Sequence, residues 1–166
     1  MNICKISSKY EVRKLGKADI DDIYELSIGN PLYYQYCPPN VSKNSILEDM
    51  QALPPKKTYD DKYYIGFWEG NKLVALMDLI LNYPNNHTAF IGLFMLAKAA
   101  QGHGVGSDII SDFCQYIKDQ GYSFVRLGYA KGNPQSKAFW AKNGFEETGI
   151  ECVNPNCKII VLQKSL

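Results

Sequence analysis

Leu93-Phe94-Met95-Leu96-Ala97-Lys98-Ala99-Ala100-Gln101-Gly102-His103-Gly104-Val105-Gly106-Ser107 is the stretch that decides how this chain is read. An apolar strand runs into a glycine loop. The loop opens directly into a helix, where Ile109, Ile110, Phe113 and Ile117 fall on one face. The first turn of a helix carries N–H groups with no intrahelical partner, at the positive end of the helix dipole. Glycines let a phosphate come close to such groups. The pattern is that of a pyrophosphate cradle. It lacks the Gly-Lys-Ser/Thr ending of a nucleoside-triphosphate loop. Its G-x-G-x-G spacing is not the dinucleotide fingerprint, and no full βαβ unit with its acidic residue accompanies it. Taken by itself, the loop also reads as a plain tight turn between strand and helix.

Outward from this stretch, strand character at residues 62–69, 72–83 and 88–96 reads as an antiparallel meander. Gly70-Asn71 is a two-residue hairpin signal and Tyr83-Pro84-Asn85-Asn86 a turn. Strand, helix and strand across 88–129 fit a parallel pair joined by a crossover. Earlier in the chain, 10–15 reads as a strand. Ile20, Ile23 and Leu26 mark a helix over 19–28, and Ser42 caps a second helix carrying Ile46, Met50 and Leu53. Residues 29–41 read as the longest irregular stretch. After residue 129, Asn133-Pro134 opens a helix closed by Asn143-Gly144, and 145–150 and 158–163 read as strands. The expected fold is α/β (α+β). It has a mixed, mostly antiparallel sheet of six to seven strands and about four helices, in one domain over residues 1–166.

Two motifs carry a resemblance. Gln101-x-x-Gly104-x-Gly106 resembles the Q/R-x-x-G-x-G/A signature of the GCN5-related N-acetyltransferase (GNAT) superfamily. Further on, Asn133-x-x-Ser136-x-x-Phe139-Trp140-x-x-x-Gly144-Phe145 is similar to that family's second signature, departing at Trp140. The element order from about Tyr10 to Gln163 looks like the same fold. The resemblance implies acetyl-CoA as co-substrate. Backbone groups of Phe94, Met95 and Leu96 would pair with the pantetheine arm. Gly102, His103, Gly104, Val105, Gly106 and Ser107 would hold the pyrophosphate behind Gln101. Asn133 would reach pantetheine, or act as the helix cap, or both; Ser136 belongs to the same cofactor-binding set, and Trp140 would pack along pantetheine. Lys98, Lys137 and Lys142 read as solvated surface lysines, with contact to a 3′-phosphate as the alternative.

The chemistry needs a neutral amine, a stabilised oxyanion (a backbone N–H near Leu96 would serve) and a stabilised thiolate. Two family positions are altered. A glutamate that often acts as base falls at Phe90, and a tyrosine that often acts as acid falls at Trp140, whose indole does not give up its proton. Asp78, a carboxylate within Leu76-Met77-Asp78-Leu79-Ile80, is a candidate base. Its alternative is a structural carboxylate at a strand bulge or facing solvent. Tyr129 is the candidate acid, or else a half-buried aromatic. A water chain is the alternative base. His87 reads as an exposed turn residue and His103 as a phosphate aid. Tyr33, Tyr34 and Tyr36 fall where the fold places its acceptor loop, and read either as a wall for a cationic amine or as loop packing. The turn from Cys152 to Cys157 borders the same region.

Composition narrows the function classes. In 166 residues, 46% are hydrophobic and 21% charged, with 18 Lys+Arg against 17 Asp+Glu. That is a globular balance without a global field for nucleic acid or an anionic membrane. No apolar run approaches the roughly 20 residues of a membrane span. Cys4, Cys37, Cys114, Cys152 and Cys157 are odd in number and scattered, so they read as free thiols of a reducing cytosol. With two histidines and no second cysteine pair, no metal site is expected. The expected protein is a cytoplasmic N-acetyltransferase moving an acetyl group to a primary amine of a small molecule or peptide, in a ternary complex. A catalytically degenerate acetyl-CoA sensor or interaction module is the alternative, and a nucleotide-binding α/β protein is a third reading. Homodimerisation is left open.

Overall fold

The computed structural model describes residues 1–166. Seven strands form one sheet in the order β1 (Glu11–Lys14), β2 (Lys62–Glu69), β3 (Lys72–Ile80), β4 (Thr88–Leu96), β5 (Phe124–Ala130), β7 (Lys158–Ser165), β6 (Glu146–Val153). Only β4 and β5 run parallel. Five helices cover the sheet: α1 (Ile20–Ile28), α2 (Pro31–Tyr36), α3 (Lys43–Gln51), α4 (Val105–Asp119) and α5 (Pro134–Lys142). The expected meander, crossover and hairpin at Gly70-Asn71 are all present.

Each face of the sheet has its own core. Ile109, Ile110, Phe113 and Ile117 of α4 pack on Ala89, Ile91, Val125 and Leu127, together with Trp140 of α5. On the opposite face, Ile23 and Leu26 of α1 and Ile46 of α3 pack on Tyr64, Leu76 and Met95.

Two expectations are corrected. Residues 29–41 are not irregular throughout, because α2 lies within them. Asn30 and Pro31, which stop α1, also start α2, since proline suits the first turn of a helix. At six residues the helix is too short to show a period. The last hairpin also runs longer than expected. β6 is an edge strand exposed along almost its whole length, so no alternation marks its extent in the sequence.

The sheet opens in its middle. β4 pairs with β5 only from Thr88↔Phe124 to Ile91↔Leu127. Beyond that, β4 stays with β3 as far as Leu96, while β5 follows β7 to Ala130. The parting begins at Gly92. Asp78 opposes Leu93 and Leu79 opposes Ile91, which leaves Gly92 as the extra residue of a bulge in β4. Glycine is required there, because a Cβ would sit 2.9 Å from Asp78 Oδ2. The bulge also reverses the pleat, and the packing of β4 changes with it. Ala89 and Ile91 join the α4 core. Beyond the bulge Phe94 and Leu96 pack against that core, while Met95 joins the α1–α3 core.

Candidate active site

Where β4 and β5 part, a groove of about 280 Å³ runs between the end of β4, the glycine loop and α5. Its floor is an open strand edge. Ala97 N–H donates to the Val74 carbonyl, so by alternation Leu96 and Phe94 turn their backbone groups away from β3, toward the opening. The Leu96 carbonyl is already occupied. It accepts from Asn30 Nδ2 at 3.0 Å and Gln101 Nε2 at 3.1 Å, and Gln101 Nε2 also lies 2.7 Å from Asn30 Oδ1. Gln101 therefore braces the loop against Asn30, between α1 and α2, and against β4. Met95 lines the groove, but its backbone serves β3 and its side chain the core.

The head of the groove is the glycine loop. Gly102 and Gly104 have φ of +82° and +81°, the left-handed region that glycine tolerates best. The first α4 amide bonded in the helix is Asp108 N–H, to the Gly104 carbonyl, and the amides from Gly102 to Ser107 donate to no backbone group. Open space lies beside both glycines. This is the geometry that binds an anion at a helix N-terminus. Gly106 has a different reason to be glycine: a Cβ there would meet the Phe139 ring at 3.1 Å. Val105 and Ser107 line the groove, while the His103 side chain turns to a separate hollow that it shares with Lys98. Among the three lysines, Lys142 lines the groove, and Lys137 pairs with Glu147 at 3.1 Å.

At α5, Asn133 is 3% exposed, and its Oδ1 caps the helix by accepting from Ser136 N–H at 3.0 Å. Its Nδ2 donates to no protein group. Trp140 is packed at 4.9 Å from Phe139 and 5.0 Å from Phe145, ring centre to ring centre, as a packing residue would be.

A second cavity of about 270 Å³ opens from the other side of the parting. Tyr33, Phe94, Asn133, Ser136 and Trp140 line both spaces, so the two meet there. Of the three loop tyrosines, only Tyr33 reaches this junction. Tyr34 packs edge-on against it at 4.9 Å, and Tyr36 lies against Gly132. The Tyr33 hydroxyl has no protein hydrogen-bond partner, and burial raises its pKa well above the usual phenol range. Phe90 lines the second cavity, edge-on to Tyr83.

The candidate acid and base are both engaged. Lys62 Nζ donates to both Asp78 oxygens, at 2.7 and 2.8 Å, and its side chain is 3% exposed. Burial raises the Asp78 pKa, against the pull of Lys62. Asp78 lies behind the bulge and lines neither cavity. Tyr129 lines part of the second cavity, but its hydroxyl donates to Glu147 at 3.1 Å. Its pKa is raised, first by burial and then by that carboxylate.

Asp49 drew no notice in the sequence. It lies on α3, three residues after the buried Ile46, and its residue is open to solvent. Burial, then Asp78, pushes it up to about 6, and Lys62 pulls the other way. Asp49 in turn raises Tyr33, Tyr34 and Tyr64. A carboxylate on the apolar stripe of an amphipathic helix was the available signal.

The model of the acetyltransferase (GNAT) family matches residues 22–145. The chain belongs to that family. Solved GNAT-fold structures agree in architecture. An acetyltransferase from Thermus thermophilus shares 18% identity over 95% of this chain and 97% of its own, with a TM-score of 0.76. The PaiA N-acetyltransferase of Thermoplasma acidophilum, in complex with coenzyme A, shares 17% over 94% and 98%, with a TM-score of 0.69. The Salmonella typhimurium acetyl transferase that modifies the N-terminal serine of ribosomal protein L7/L12 shares 16% over 97% of each chain, with a TM-score of 0.75. No curated protein matches this GNAT chain in sequence. Its helices include none long and apolar enough to cross a membrane.

Proposed function

We propose that this GNAT protein is an acetyl-CoA-dependent N-acetyltransferase that acetylates a primary amine of a small molecule or peptide, by direct attack in a ternary complex. The observation that carries the reading is the meeting of the two cavities at the parting of β4 and β5. One cavity has the unpaired amides from Gly102 to Ser107 at its head. The other admits an acceptor past Tyr33. The fit to coenzyme A rests on this chain's own groups. The loop amides would hold the pyrophosphate, and Lys142 stands within the same groove for a further phosphate. The free backbone groups of Phe94 and the N–H of Leu96 offer the pantetheine amides a strand edge, with Asn133 Nδ2 opposite and Trp140 packed alongside. The peptide class is supported by the ribosomal-protein acceptor named for the Salmonella protein.

Tyr33 supplies the phenol that position 140 lacks, while the base missing at position 90 is replaced by water. Tyr33 keeps its proton at neutral pH and is the phenol at the junction, so it donates a hydrogen bond to the departing thiolate. Asp49 lines neither cavity, but ionised at neutral pH it adds negative charge to the surroundings of Tyr33 and Tyr34, which draws in the cationic amine; the amine then sheds its proton to water.

Release of free thiol from acetyl-CoA, measured over a panel of amines, polyamines, amino acids and short peptides, tests this. Tyr33→Phe should lower kcat by about 10–100-fold and leave the KM for acetyl-CoA nearly unchanged. Trp140→Tyr added to Tyr33→Phe should restore part of the loss. Binding of acetyl-CoA without turnover of any amine would instead establish a sensor. An unchanged kcat in Tyr33→Phe would remove the role given to Tyr33.

A further inference from the structure

Five cysteines are free, and two of them meet. Cys37 Sγ and Cys157 Sγ lie 2.8 Å apart although 120 residues separate them. Unbonded sulfurs rarely come so close, and a disulfide requires only a further approach of less than about 1 Å. Both residues sit on backbone held in place. Cys37 N–H closes α2 by donating to the Tyr33 carbonyl at 3.0 Å, and the Cys157 carbonyl accepts from Asn154 N–H at 2.9 Å across the β6–β7 turn. Cys37 from one segment and Asn154 from the other line the acceptor-side cavity, while neither cysteine lines the groove with the glycine loop. Both are partly exposed, within reach of a small oxidant, whereas Cys114 is buried in the core.

We propose that Cys37 and Cys157 form a reversible disulfide that fastens α2 to the β6–β7 turn across the acceptor cavity and shuts down acetylation under oxidising conditions. The oxidant is a peroxide. The Cys157 sulfur attacks one peroxide oxygen, the O–O bond breaks, and a sulfenic acid and one water result. The Cys37 sulfur then attacks the sulfenic sulfur, loses its proton, and expels the hydroxyl as a second water. Two thiols and one peroxide thus give one disulfide and two waters. This order follows from the surroundings: burial and the neighbouring Cys157 push the Cys37 thiol up to about 12, so it stays protonated until the sulfenic acid is beside it. Because α2 also carries Tyr33, the bond fixes that ring as well as the cavity mouth.

The effect on turnover rests on the N-acetyltransferase reading, but bond formation does not. Hydrogen peroxide treatment followed by non-reducing peptide mapping should link the Cys37 and Cys157 peptides, with a mass loss of about 2 Da. Closing so long a loop should raise Tm by about 10 °C, and dithiothreitol should reverse it. Cys37→Ser and Cys157→Ser should each abolish the link and the rise, and Cys4→Ser and Cys152→Ser should not. Amine-dependent turnover should fall at least about fivefold on oxidation, while the Kd for coenzyme A stays within about twofold. Alkylation of both thiols after peroxide treatment, or linkage only through Cys4 or Cys152, would overturn the proposal. So would a Cys37–Cys157 link that leaves turnover unchanged. Were the reduced protein to show no turnover at all, the acetyltransferase reading would fail, and the linked peptide and Tm rise would still decide the disulfide.

Discussion

Asp78→Asn separates a structural carboxylate from a catalytic one. Lys62 and Asp78 face each other across β2 and β3 with side chains 3% and 14% exposed, joined by two short hydrogen bonds. Asparagine preserves shape and one acceptor but leaves a buried ammonium without its partner. Removing one member of a buried pair costs about 3–5 kcal/mol. The lower end applies here, because Asp49 also faces Lys62. In a chain of this length, about 3 kcal/mol corresponds to a fall in Tm of roughly 6–12 °C. Replacing the pair together, as Lys62→Met with Asp78→Leu, should recover most of that loss, since a well-packed apolar pair is often as stable as a buried ion pair. The assay is calorimetric or optical melting of the three proteins, with turnover normalised to folded protein. Normalised turnover of Asp78→Asn should stay within about threefold of the parent. A parental Tm with turnover cut a hundredfold would make Asp78 the base and rule out a purely structural role.

Gly106→Val should destabilise by about 1–3 kcal/mol, because a branched side chain cannot fit where Phe139 already stands 3.1 Å from a single Cβ; chemical denaturation reads it, and an unchanged midpoint would contradict the packing. Asp49 titrates at about 6 in the fold against 3.8 for a free side chain. The folded state holds that proton more tightly, so the stability it lends is full at low pH and lost as pH rises from about 4 to 6. Asp49→Asn should flatten that decline in urea unfolding, and it should also abolish the wild-type drop in acceptor KM between about pH 5 and pH 7.

The architecture was legible because its key signals are local. The period changes from two to 3.6 at the Gly102–Gly106 loop, the hairpin glycine sits at Gly70, and α5 announces itself with Asn133-Pro134. The loop's free amides were legible for the same reason, since a helix N-terminus needs only neighbouring residues. What stayed hidden depends on contacts between distant segments. Asp78 looked free because its partner Lys62 lies on another strand. Tyr129 looked like the available phenol because nothing in its own segment shows that its hydroxyl is committed to Glu147. Tyr33, Tyr34 and Tyr36 looked equivalent until α2 turned one of them to the junction. Gln101, a motif residue, proved to bind Asn30 and Leu96, which only the folded chain brings together.

The groove headed by Gly102 to Ser107 is the proposed seat of acetyl-CoA. Calorimetric titration of acetyl-CoA into the parent and into Gly104→Val measures it directly. Gly104 has φ +81° and open space beside it, so valine strains the loop and projects into the place of the phosphates. One saturable site is expected in the parent, with at least about a tenfold weaker Kd in Gly104→Val, a loss of about 1.4 kcal/mol or more. No heat with the parent at about millimolar acetyl-CoA, or equal affinity in a folded Gly104→Val, would contradict it.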